Sequence, residues 1–130
     1  MKNNAAIIGA IVLIAITAVL INFSNVSVPK KDSINYDAFA KCLTENNAVF
    51  YGASWCSHCQ NQKKLFGSSV SLLKYIECST PDGNSQTEIC RKEGINGYPT
   101  WKFNGRAVEG ELDFPQLSQY SGCSLDLIRN

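Results

Sequence analysis

Residues 48–66 read AVFYGASWCSHCQNQKKLF: an apolar, β-rich run, then two cysteines three apart, then a helix-like segment followed by Gly67. The run over 48–53 predicts a buried central strand, and 56–66 predicts a helix that begins at the first cysteine. A helix N-terminus carries unpaired N–H groups and a partial positive charge, so a thiol placed there ionises more easily than one in water. Cys56 is that thiol. Cys59 lies one turn further in, where it can attack a mixed disulfide formed at Cys56 and release the bound sulfur. Strand, C-x-x-C and helix in this order predict thiol–disulfide oxidoreductase chemistry.

The same pair can also be half of a zinc site, since two thiolates at this spacing are a common half-ligand set. Completing a tetrahedral site needs a second C-x-x-C or a nearby pair of His or Cys ligands. The only histidine, His58, lies between the two cysteines, and Cys42, Cys78, Cys90 and Cys123 are scattered singly. No metal and no cofactor is therefore expected. A merely structural C-x-x-C disulfide is the other alternative.

The chain has 130 residues, and setting aside its non-globular beginning leaves roughly a hundred for one domain. Twelve basic residues against eleven acidic ones give no reason to propose a nucleic acid as partner. Six cysteines are many for so short a chain and point to an oxidising compartment: the periplasm, the cell exterior or an equivalent lumen. Residues 5–23, AAIIGAIVLIAITAVLINF, carry no charge. At about 1.5 Å rise per residue they nearly match a hydrocarbon core of about 30 Å, so 1–23 is read as an N-terminal membrane anchor. A cleaved signal peptide is the competing reading, supported by Lys2 and opposed by the long apolar region and the lack of an A-x-A-like site. Flanking charge barely sets orientation, since Lys2 and the terminal amine oppose Lys30 and Lys31. Cysteine usage sets it instead: a single-pass protein, N-terminus cytoplasmic, domain on the periplasmic or extracytoplasmic side. Residues 24–33, with Pro29 and the charges of Lys30, Lys31 and Asp32, read as a tether, and 34–130 as the domain.

Working outward from the central strand, Tyr36, Phe39, Ala40 and Leu43 recur at helical spacing over 36–46, with Asn47 as a stop. Residues 72–78 read as a second buried strand and 80–83 as a turn. A short helix is expected over 85–93, stopped by Gly94. Strands over 99–103 and 106–109 flank Asn104-Gly105, the strongest hairpin signal in the chain. A last helix spans 113–120, with Pro115 tolerated in its first turn. Parallel strands linked by a helix, followed by an antiparallel hairpin, predict a mixed central sheet with helices on both faces.

This order resembles the thioredoxin fold, an α/β fold with a central mixed sheet of about four strands flanked by helices. Several separated motifs resemble a closer relative: FYGASWCSHCQ over 50–60, YIEC over 75–78, QTEIC over 86–90, GYPTW over 97–101, and Glu109-Gly110. They look like the thioredoxin-like domain fused to bacterial and plant homologues of vitamin K epoxide reductase. In that family the domain exchanges disulfides with substrate proteins and a membrane domain reoxidises it using a quinone. This sequence has a single apolar segment in place of those helices. The resemblance thus implies exported protein thiols and disulfides as substrates, and a separate vitamin K epoxide reductase-like or DsbB-like membrane partner for recycling.

The resemblance also implies site residues. A cis proline is expected at Pro99, with the backbone of Tyr98 able to pair with a substrate strand; by residue type alone Pro99 is equally an ordinary strand-start proline. Trp55, Tyr98, Pro99 and Thr100 form the substrate-binding surface, and Cys56, Cys59 and His58 the catalytic set. An imidazole beside the helix start can stabilise a Cys56 thiolate, which makes the disulfide a better oxidant. The motif is nearer to the oxidising C-P-H-C and C-G-H-C sites than to the reducing C-G-P-C. Reducing thioredoxins carry a buried aspartate six residues before the first cysteine, and here that place is Phe50, a further tilt toward an oxidase or isomerase. Cys78 and Cys90 correspond to a second disulfide of the fused family. Cys42 and Cys123 remain and are paired by elimination; a buried free thiol, or an intermolecular bond at Cys123, is the alternative. The rival function class is a non-catalytic binding module or metallochaperone of the same fold. A copper carrier would need an added His or Met ligand near the pair, and Met1 is the only methionine.

Overall fold

The computed structural model describes residues 34–128. The expected anchor and tether lie outside the described residues, among which no helix is long and apolar enough to cross a membrane. The elements in order are α1 (Asp37–Glu45), β1 (Ala48–Gly52), α2 (Ser57–Phe66), a 3-10 helix over Gly67–Leu72, β2 (Tyr75–Glu77), α3 (Glu88–Lys92), β3 (Thr100–Phe103), β4 (Arg106–Glu109), α4 (Phe114–Ser121) and a 3-10 helix over Leu125–Ile128. The strands form one sheet in the order β2-β1-β3-β4. β1 runs parallel to β2 and antiparallel to β3, and β3–β4 is an antiparallel hairpin. Asn104 and Gly105 both have positive φ at its turn, which is what a type I′ connection requires.

Side chains alternate across a strand, so β1 supplies two cores. Phe50 points into the larger cluster with Phe39, Leu43, Phe66, Trp101 and Leu117, and its ring stacks on Trp101 at 4.9 Å. Tyr51 points the other way, to Cys78, Cys90 and Ile95. Aromatic burial of this kind is the main source of stability, and truncating a buried Phe to Ala costs about 3–5 kcal/mol. α4 starts on a capping box in which Asp113 Oδ1 accepts the Gln116 N–H at 2.8 Å and Gln116 Oε1 accepts the Asp113 N–H at 3.0 Å.

Two local readings need correction, and one element was not expected. β2 begins at Tyr75 and not at 72, because the Thr44 hydroxyl donates to the Leu72 carbonyl at 2.8 Å and accepts the Lys74 N–H at 3.2 Å, ending the 3-10 helix against α1. Helix α3 begins at Glu88 and not at 85, because Gln86 bridges to Ser79 and the Thr87 N–H bonds the Cys78 carbonyl at 2.8 Å. The 3-10 helix over Leu125–Ile128 has no counterpart in the sequence reading.

Candidate active site

The turn between β1 and α2 presents the two cysteines. The Cys56 N–H closes on the Ala53 carbonyl at 3.1 Å, and Gln60 Nε2 reaches back to the Ser54 carbonyl at 2.9 Å. Cys56 is the N-cap of α2 in an extended conformation, and its Sγ accepts the Cys59 N–H at 3.2 Å. A sulfur in the place of a capping oxygen thus takes up one of the helix's free donors. Cys56 is 6% exposed and Cys59 0%, and both are free thiols.

The loop before β3 closes the site from the other side. The Tyr98–Pro99 bond is cis, and the Tyr98 carbonyl lies 3.6 Å from Cys56 Sγ. Pro99 is buried, its carbonyl accepting the Gly110 N–H at 2.8 Å, and the Thr100 hydroxyl donates to the Gly97 carbonyl at 2.8 Å. Thr100 is therefore held inside the strand, and neither it nor Pro99 lines the cleft beside Cys56, unlike Trp55 and Tyr98. Trp55 is 63% exposed and meets the Tyr98 ring edge-on at 5.9 Å. Trp55, Cys56, His58, Asn96, Gly97 and Tyr98 line one surface cleft.

His58 stands on the exposed rim, with Nδ1 2.5 Å from Glu111 Oε1. Asn61 Nδ2 donates to the same oxygen at 3.4 Å, and Gln62, buried, bonds both the N–H and the carbonyl of Leu112. These contacts tie the first turns of α2 to the segment before α4. Glu111 escaped the sequence reading, since 53 residues separate it from His58 and no periodicity links them.

Beneath Cys56 the environment changes. Burial, and then the hydrogen bond to Cys56, push the Cys59 thiol up to about 12, against a smaller opposite pull from a backbone bond at Ala53 and the Lys63 charge. Tyr75 is also raised, by burial and by its bond to Glu77. Burial works against the Glu77 charge, but hydrogen bonds from Ser79, Tyr75 and the Ser54 and Ser79 N–H groups outweigh it and lower that carboxyl. Tyr75 and Glu77 sit inside the YIEC motif but were assigned no role; their i, i+2 placement on one strand face was the available signal.

The remaining cysteines are bridged. Cys42 on α1 joins Cys123 beyond α4, with Cα atoms 6.0 Å apart. Cys78, just after β2, joins Cys90 on α3, with Cα atoms 5.6 Å apart.

Residues 28–120 match the family model described as Thioredoxin. The chain belongs to the thioredoxin family. Among curated proteins, this thioredoxin-family chain is similar to the thiol-disulfide oxidoreductase LTO1 of Arabidopsis thaliana, 43% identical over 94 residues, 68% of this chain and 25% of that protein. It is 30% identical over 110 residues to a thioredoxin domain-containing protein 5 homolog of Drosophila melanogaster, covering 74% of this chain and 25% of that protein. Protein disulfide-isomerase A2 of Mus musculus is 31% identical over 96 residues, covering 65% and 18% respectively. The chain spans a quarter or less of the length of these relatives.

Proposed function

We propose that this protein is a thiol:disulfide oxidoreductase acting on exported proteins through Cys56, working as an oxidase or isomerase more than as a reductant. The observation that carries the reading is the Cys56 sulfur itself: a free thiol capping α2, bonded by the Cys59 N–H, at a cleft edged by Trp55 and the Tyr98 carbonyl. In the oxidising direction a substrate thiolate attacks Cys56 Sγ, the Cys56–Cys59 bond breaks, and Cys59 leaves and takes up a proton. A second substrate thiolate then attacks the substrate sulfur, Cys56 departs, and two electrons have passed to the protein. Phe50, packed on Trp101 where reducing relatives carry an acid, and the histidine inside the C-x-x-C support that direction.

The apolar run over 5–23 and the cysteine content support an anchor in the membrane with the domain on the extracytoplasmic side. The motif likeness to the domain fused to vitamin K epoxide reductase homologues supports recycling by a quinone-linked membrane partner of that kind. The test is refolding of reduced ribonuclease and reduction of insulin by the protein and by Cys56→Ala. Activity is expected to vanish in the variant, and activity that persists ends the reading. The redox potential decides direction: a value near about −120 mV marks a strong oxidant, and one near about −270 mV a reductant.

A further inference from the structure

Cys59 is wholly buried, so its proton has no direct way to water. At Gly52 there is no side chain between β1 and the sulfur. A Cβ built there would lie 3.1 Å from Cys59 Sγ and 3.3 Å from the Tyr75 hydroxyl, so sulfur and hydroxyl converge on the space a methyl group would fill. The Tyr75 hydroxyl donates to Glu77 Oε2 at 2.7 Å, which leaves its oxygen free to accept. Glu77 is only half-buried, and its other oxygen is held by the Ser54 N–H at 3.0 Å, the Ser79 N–H at 2.9 Å and the Ser79 hydroxyl at 2.5 Å. Lys63, one helical turn beyond Cys59 on α2, sits 3.7 Å over the Tyr75 ring.

We propose that Tyr75 and Glu77 form the proton exit of Cys59, with Lys63 positioning the Tyr75 ring. The inference rests on the reading of Cys56 as the exchanging thiol. Every oxidising cycle needs Cys59 to act once as nucleophile, when Cys56 is joined to the recycling partner's sulfur. In that step the Cys59–Cys56 bond forms, the bond from Cys56 to the partner sulfur breaks, and the partner sulfur leaves as thiolate with the electron pair. The Cys59 proton passes across the space at Gly52 to the Tyr75 oxygen while the Tyr75 proton passes to Glu77 Oε2, and the half-buried carboxylate returns it to water. Burial, the largest of the effects that raise this thiol, persists in the mixed disulfide and works against its unaided ionisation at neutral pH. The charged or titratable groups around this path are Cys56 and Lys63 on α2 and Glu77 on β2; the β1 residues beside it, Phe50 and Gly52, add none.

The test uses the full-length chain, reduced at Cys56 and Cys59, mixed with an aryl disulfide that releases a coloured thiolate at each exchange. The first release reports attack by Cys56 and the second reports attack by Cys59. In Tyr75→Phe, which keeps the ring under Lys63, the first release is expected unchanged and the second about a hundredfold slower at neutral pH, the gap closing as pH rises. Glu77→Gln turns the hydrogen bond to Tyr75 around and is expected to slow the second release roughly tenfold. A second release in Tyr75→Phe within about twofold of the unsubstituted protein across the pH range, or an equal slowing of both releases, overturns the relay. An unsubstituted chain with no first release overturns the functional reading itself, and the relay with it.

Discussion

The bridged cysteines and the free pair differ less in burial than in where they stand. Cys78, Cys90 and Cys123 are as deeply buried as Cys56 and Cys59. Cys42 and Cys90, however, lie within helices, and each is bonded to a sulfur from another element. Cys56 alone caps a helix start and borders a cleft. What sets the exchanging sulfur apart is thus its capping place beside a cleft with no sulfur bonded to it, while interior position alone leaves a sulfur a structural link.

That contrast can be broken at either end. Replacing Cys42 and Cys123 by serine opens a loop of 81-residue separation and is expected to cost about 4.5 kcal/mol in the chain-entropy account, read as a fall in the denaturant midpoint. Exchange per folded molecule should persist. The same change at Cys78 and Cys90, separated by 12, should cost less, about 3 kcal/mol, and a larger loss than at the long bridge would contradict the ranking.

The free pair sharpens the comparison through pH. The Cys59 thiol rises from 9.0 to about 12 on folding, so the folded state keeps its proton longer than the unfolded chain. Its contribution to the reduced form is fully present below about pH 9 and is lost as pH climbs toward about 12. The oxidised form has no thiol there to titrate, so the stability gap between the two forms should shift over that window, with parallel curves as the contrary result. The smallest effect belongs to the rim: Glu111→Gln removes an exposed partner of His58 and is expected to change stability by under about 1 kcal/mol by thermal melting.

Much of the architecture was legible because its signals are local. Asn104-Gly105 marks the hairpin, Pro115 fits the first turn of the helix begun at Asp113, and the apolar run before Cys56 marks the central strand. The boundaries at 72–75 and 85–88 were not, because they depend on Thr44 and Ser79, residues remote in the chain that take up the backbone groups at those places. In the site, the strand-like run before C-x-x-C and the helix-like segment after it placed Cys56 at a helix start. Glu111 beside His58, and Tyr75 facing Cys59 across Gly52, come from separate elements and carry no spacing that announces them.

Residue order, then, was enough for which sulfur caps the helix and which strand precedes it, since capping and strand periodicity act over a few neighbouring positions. Which groups surround the second sulfur was settled by strand register: pairing Phe50 with Tyr75 and Gly52 with Glu77 brings a phenol and a carboxylate beneath α2. Such pairing is a non-local choice, made by burying both faces of β1 at once.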